Sequence, residues 1–187
     1  MARVVIVPYS ERWPAEFARV GRRLRGVLGG RALRIDHIGS TAVAGLDAKD
    51  RIDVQVEVAD LDDANPLGGA GYVEFAPVAD HEPPGAEAVP ADWTKRLFQN
   101  PPAERPTNIH VRREGRPNAR YALLFRDYLR AHPAAAAAYA DLKRRLAAEL
   151  PRLDRYTDVK DAACDLIVVA AEDWATATRW EPGPSDA

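Results

Sequence analysis

Seven consecutive residues, Ile52-Asp53-Val54-Gln55-Val56-Glu57-Val58, alternate without exception between β-branched apolar and polar side chains. A period of two belongs to a strand and not to a helix, because successive strand side chains point to opposite faces. Ile52, Val54, Val56 and Val58 therefore face a core, and Asp53, Gln55 and Glu57 face the other way. A chain containing this segment must build a sheet with at least one covering layer. It must also find a use for a row of polar groups on the second face.

The flanking sequence supplies both. Val4 to Val7 reads as a short strand or an extended lead-in, closed by Pro8. A helix follows, with Pro14 in its first turn, where a missing N–H costs nothing, and Phe17, Val20, Leu24 and Val27 at helical spacing. Gly29-Gly30 end it, and Ala32 to Ile38 is a strand that runs into Gly39-Ser40-Thr41. Beyond the alternating segment we expect a short helix over Asp60–Leu67 and a strand over Tyr72–Val78. A proline-rich loop from His81 to Pro90 precedes a wide hairpin of Thr94–Gln99 and Thr107–Arg112. From Asn118 the pattern is helical. One stripe carries Tyr121, Leu124, Phe125, Tyr128 and Leu129. A second, alanine-rich helix starts at Pro133, carries Tyr139, Leu142, Leu146 and Leu150, and stops at Pro151. A third runs from about Asp158 to Trp174, and residues 181–187 read as a frayed polar tail. The expected fold class is mixed α/β in a single domain over residues 1–180. A small mixed sheet with helices on one side occupies about 1–115, and a helical bundle over about 118–180 covers the site.

Charge and cysteine content narrow the functional classes. The formal net charge is -2, so the clustered positive charge that long nucleic acids require is missing, and no such partner is expected. Cys164 is the single cysteine, in an apolar stretch, which reads as a small core thiol and excludes an intrachain disulfide. No apolar run approaches the ~18 residues of a membrane span, so a cytoplasmic protein without a membrane partner is expected. Trp13, Trp93, Trp174 and Trp180 are too scattered in sequence for a base-stacking platform.

The candidate chemistry begins at His37-Ile38-Gly39-Ser40-Thr41. Glycine after a strand lets backbone N–H groups approach an anion, and the next hydroxyl can donate to it. Taken alone, Gly39-Ser40 is equally a plain turn. Asp53, on a strand pairing beside this turn, places a carboxylate near a bound phosphate, and such a pair needs a cation between them, usually Mg²⁺. Lys160, with Thr157 as helix N-cap, falls in the first turn of the last helix, where the dipole and the ammonium together favour an anion. Lys143 follows Tyr139 by one helical turn and shares its side of the helix; solvated surface charge is the other reading of it. His37 is either a structural histidine or part of the turn's anion site.

The string His37-Ile38-Gly39-Ser40-Thr41-Ala42-Val43, Gly45-Leu46, Ala48-Lys49 and Ile52-Asp53-Val54 resembles the signature of the GrpB-type family. So do Leu124 through Arg130 with His132-Pro133, Asn108-Ile109-His110-Val111, and Tyr156-Thr157-Asp158 with Lys160. That family is similar to the polymerase-β-like nucleotidyltransferases, and relatives of the domain occur fused to dephospho-coenzyme A kinase. The family usually has proline where this chain has Ala44 and Asp50, a difference confined to loop stiffness. The superfamily's second carboxylate is replaced by Gln55, and Glu57 lies roughly 6.7 Å further along an extended strand, too far to stand in for it.

The resemblance implies a nucleoside triphosphate site. Gly39 and Ser40 hold phosphate, with His37 beside them. Asp53 and the carbonyl of Gln55 hold Mg²⁺, and Lys143, Tyr156 and Lys160 hold the triphosphate tail. His110, near the superfamily's third acidic position, is a general base toward an acceptor or a donor to substrate. Arg126-Asp127 reads as a structural pair locking helix to sheet. Two functions follow: Mg²⁺-dependent transfer of a nucleotidyl group to a small molecule or protein, or a non-catalytic module retaining a nucleotide or coenzyme A-like ligand.

Overall fold

A computed structural model describes residues 4–75, 78–86, 89–150 and 153–187. The lead-in is extended and contributes one antiparallel bridge, Val7 with Ala48. Helix α1 (Trp13–Leu28) starts with proline in its first turn, as its sequence dictates, and buries Trp13, Phe17, Leu24 and Leu28. Strand β1 (Arg34–Ile38) leads to Gly39 and a 3₁₀ turn over Ser40–Ala42. Strand β2 is the alternating segment Ile52–Val58.

The helix expected over Asp60–Leu67 is split into a 3₁₀ turn, Leu61–Ala64, and the short helix α2 (Pro66–Gly69). Asp60 and Asp63 cap the first piece reciprocally, and Pro66 starts the second. Of the strand expected over Tyr72–Val78, the described part forms β3 (Val73–Glu74) and β4 (Val78–Ala79); residues 76 and 77 between them, and residues 87 and 88 of the proline-rich loop, lie outside the described residues. The hairpin forms as expected from β5 (Thr94–Gln99) and β6 (Thr107–Arg113). Helices α3 (Pro117–Ala131), α4 (Pro133–Glu149) and α5 (Leu153–Thr178) complete the chain; the helix stop expected at Pro151 lies outside the described residues.

The sheet order is β1-β2-β6-β5-β3, with β4 also on β5. Only β2 and β6 run parallel, in a register that sets Asp53 opposite Asn108 and Gln55 opposite His110. The apolar face, with Ile52, Val54, Val56, Ile109 and Val111 fully buried, packs on α1. The bundle α3–α5 covers the other face, as the fold class requires. Among the described residues, no helix is long and apolar enough to cross a membrane.

Three expectations are corrected. Gln55 and Glu57 do not line an open polar face: α3 lies over them, and Gln55 Nε2 donates to the Ala119 carbonyl at 3.1 Å. The last helix starts at Leu153 rather than near Asp158, so Thr157 is not its N-cap and Lys160 is not in its first turn. Residues 185–187 are not frayed. Ser185 Oγ bonds both the N–H and the carbonyl of Ile35, Asp186 Oδ2 accepts from the His37 N–H at 2.9 Å, and Ala187 N donates to the Ile35 carbonyl at 3.1 Å. Gly21 of α1 makes room for this segment, since a Cβ there would stand 2.7 Å from that of Ala187.

Candidate functional site

Between the sheet's second face and the helical bundle lies a cavity of about 460 Å³. Of the nine side chains or turn positions picked from the sequence, Gly39, Ser40, Asp53, His110, Lys143, Tyr156 and Lys160 line it, and His37 and Gln55 do not. The pairing of Ile38 with Asp53 brings the turn onto the β2 carboxylate. Gly39 has φ 68°, and a Cβ on it would stand 2.7 Å from Asp53 Oδ2, so glycine is required there for conformation and for space.

Asp53 is held from β6. Asn108 Nδ2 donates to its Oδ1 at 2.8 Å, and the Asn108 carbonyl oxygen accepts from Arg51 and Gln99. His110 Nε2 lies 3.9 Å from the same Oδ1. Burial works to raise the Asp53 pKa, but His110, Asn108 and Lys49 together outweigh it and hold the carboxyl below its ordinary value. Burial lowers His110, against the pull of Asp53, so the imidazole is neutral at neutral pH.

Lys143 enters from α4, whose buried face follows Ala136, Tyr139, Ala140, Lys143 and Ala147. Its ammonium donates to Ser40 Oγ at 2.8 Å and to the Asp47 carbonyl, and lies over the Tyr139 ring. Because Ser40 Oγ accepts from Lys143, its own proton is left to donate elsewhere. Burial and the neighbouring Lys160 bring the Lys143 pKa down to about 7. Lys160 donates to Asp161 at 2.8 Å; burial disfavours its charge, but Cys164 and Asp161 more than compensate and its pKa is raised. Tyr156 is fully buried, with a hydroxyl that has no hydrogen-bond partner among the described residues, and burial pushes its pKa up to about 12.

The two residues outside the cavity have structural surroundings. His37 is on the α1 side of the sheet, stacked on Phe17 at 4.6 Å and bonded through Nε2 to Thr41 Oγ1; burial lowers its pKa to about 4. The Gln55 carbonyl oxygen accepts from Arg112 Nη1 at 2.6 Å, and its amide donates to Glu57. An oxygen held by a guanidinium is a poor partner for a metal cation, and Gln55 does not line the cavity that Asp53 enters.

Sequence reading missed several cavity residues. Lys49 closes the glycine-turn motif and forms no ion pair among the described residues; its ammonium lies 5.7 Å from the Tyr156 ring. Asn108 and Arg112 share a strand face with His110, a period-two signal legible once the β2–β6 pairing is known. Asp80, Lys95 and Trp93 come from segments whose loops carried no motif. Among the described residues, six basic and three acidic side chains line a cavity in a chain whose net charge is negative. Such focusing favours a small anionic ligand.

A pH dependence follows from Lys143. Its cation is present below about pH 7 and lost above it, so inorganic triphosphate should bind less tightly as pH rises past 7, by up to about tenfold per unit. Titration calorimetry at several pH values measures this. Lys143→Met should flatten the difference, and an identical slope in both proteins would remove Lys143 from the anion site.

A family model described as GrpB protein matches residues 3–169. The chain is 39% identical over 199 residues to a dephospho-CoA kinase of Mycolicibacterium paratuberculosis, covering 97% of this chain and 49% of that protein. It is 35% identical over 176 residues to UPF0157 protein BH1888 of Halalkalibacterium halodurans, covering 91% of this chain and 83% of that protein. The chain thus spans about half the length of the kinase-named relative. Among solved structures, the conserved protein GrpB from Enterococcus faecalis superposes with a TM-score of 0.73 at 28% identity, over 91% of this chain and 99% of that one.

Proposed function

The chain belongs to the GrpB family, and on that premise we propose that it binds a nucleoside triphosphate together with Mg²⁺ and transfers the nucleotidyl group to a small-molecule or protein acceptor. One observation carries this reading: the Gly39-Ser40 turn, Lys49, Lys143 and Lys160 converge on the same cavity as the ionised Asp53 and the neutral His110. The donor set suits Mg²⁺ delivered with phosphate oxygens rather than a resident ion. Asp53 offers one ionised oxygen donor, and among the described residues no cluster of three metal-ligating side chains exists. When bound, the ion would neutralise phosphate charge beside Asp53.

The chain's own groups account for the rest. Ser40 and the turn's N–H groups hold phosphate, and the lysines hold the polyphosphate tail. Asp53 draws the imidazole proton to Nε2, leaving Nδ1, which has no hydrogen-bond partner among the described residues, as the basic nitrogen. An acceptor hydroxyl attacks the α-phosphorus, its proton passes to Nδ1, and the bond from the α-phosphorus to the bridging oxygen breaks to release pyrophosphate.

The engagement of Gln55 by Arg112 favours a second reading, in which the cavity retains a nucleotide or coenzyme A-like ligand without reacting. Labelled triphosphates with Mg²⁺ and an acceptor extract separate the two. Pyrophosphate release is expected, and His110→Ala should retain binding while losing turnover by about 100-fold or more. Binding with neither pyrophosphate nor labelled product supports the non-reacting module. If no triphosphate binds, both readings fall.

A further inference from the structure

Among the described residues, five buried side-chain polar atoms make no hydrogen bond, and four belong to residues that line this one cavity: Trp93 Nε1, His110 Nδ1, Asn118 Oδ1 and Tyr156 Oη. Burying a polar group without a partner costs stability, so such a concentration marks a surface that expects a ligand. His110 and Tyr156 stand with the groups already described. Trp93 and Asn118 do not. They come from the β5 end of the same cavity, where Trp93 immediately precedes β5 and Asn118 is in the first turn of α3.

The two atoms form a donor and acceptor set. Trp93 Nε1 can only donate. The Asn118 amide orientation follows from its neighbours: its nitrogen donates to Asp80 Oδ2 and to the Thr94 carbonyl, both at 3.2 Å, so the unpartnered atom is the acceptor oxygen. Phosphate, which only accepts, cannot satisfy Asn118. A ligand edge with an acceptor beside a donor can satisfy both. The wall next to this pair is aromatic: Trp93 meets Tyr121 edge to face at 6.4 Å, and Tyr121 lies nearly parallel to Phe125 at 6.4 Å. Trp93 and Asn118 are 3% exposed or less.

The Gly39-Ser40 turn follows β1, Asp53 is on β2, His110 is on β6 and Trp93 just precedes β5, in the order of the sheet. Resting on the nucleotide reading above, we propose that Trp93 and Asn118 form the nucleobase subsite. Trp93 donates to a ring acceptor, Asn118 accepts from the adjacent N–H, and Tyr121 supplies a ring surface.

The test compares inorganic tripolyphosphate with ATP, GTP, CTP and UTP by titration calorimetry, on the native chain and on Trp93→Phe. This variant keeps an aromatic ring and loses the donor. At least one triphosphate should bind about tenfold or more tightly than tripolyphosphate, and Trp93→Phe should remove about tenfold of that preference while leaving tripolyphosphate affinity unchanged. The preferred triphosphate should also quench tryptophan emission in the native chain, with the quench diminished in the variant. Equal affinity for tripolyphosphate and all four nucleotides, or a preference untouched by Trp93→Phe, overturns the subsite and leaves the phosphate reading standing. Binding of neither class overturns both.

Discussion

Asp53→Asn is expected to weaken Mg²⁺-dependent triphosphate binding by about 100-fold or more, equivalent to about 2.7 kcal/mol. The carboxylate is held by Asn108 at 2.8 Å, lies beside His110 and is ionised at neutral pH, whereas the carbonyl of asparagine offers only a neutral oxygen. The effect should reverse its sign when the metal is removed. In excess chelator Asp53 is a negative charge beside a polyphosphate, so Asp53→Asn should then bind triphosphate as well as the native chain or better. This opposition separates a metal-linked carboxylate from one that merely shapes the pocket. Equal loss of affinity with and without Mg²⁺ would assign Asp53 a structural role only. The acid limit has a defined direction too: because the Asp53 pKa is lowered, the metal-linked affinity persists below the ordinary carboxylate range and is lost only as pH falls through the folded-state value.

The second large effect concerns stability. Arg126 is 3% exposed, donates to Asp127 at 2.7 Å, to the His37 carbonyl at 3.1 Å and to Asp186 at 3.0 Å, and lies 4.0 Å from the fully buried Asp36. Arg126→Leu would leave these acceptors with one cation fewer. Breaking a buried charge network typically costs about 3–5 kcal/mol. For a chain of this size that corresponds to a fall in melting temperature of roughly 6–20 °C. Arg126→Lys should recover only part, because an ammonium cannot serve several planar acceptors as a guanidinium does. Urea unfolding of the three proteins measures the loss. A change below about 1 kcal/mol would mean that Asp36 and Asp186 are satisfied without Arg126.

The alternation in Ile52–Val58 announced β2 and its core face, and the glycine after β1 announced the turn, because both signals are local. The destination of Gln55 was not local. Its neutral side chain reads as a metal ligand only while its carbonyl is free, and Arg112, from a strand 55 residues later, occupies it. Lys160 is in the cavity, but not for the reason its sequence suggested. The helix extends N-terminally past Thr157, so packing, and not a helix terminus, places the ammonium. For Lys143, in a run with Arg144 and Arg145, surface charge is the other sequence reading, and the helix turns it inward, 2% exposed, onto Ser40. The cavity's far wall was the least legible part. Trp93 and Asn118 meet through the Thr94 carbonyl, a contact between separate elements with no sequence period to reveal it.

The docked segment at residues 185–187 bears on how copies of this molecule meet. An edge strand with free N–H and carbonyl groups is a template on which another molecule can add a strand, the first step of sheet-driven aggregation. On β1 the Ile35 N–H and carbonyl and the His37 N–H are already occupied by Ser185, Asp186 and Ala187. At the other side, among the described residues, β5 is paired by β3 and β4. The β1 margin of the sheet is thereby blunted, and strand addition there is disfavoured by the docking of residues 185–187.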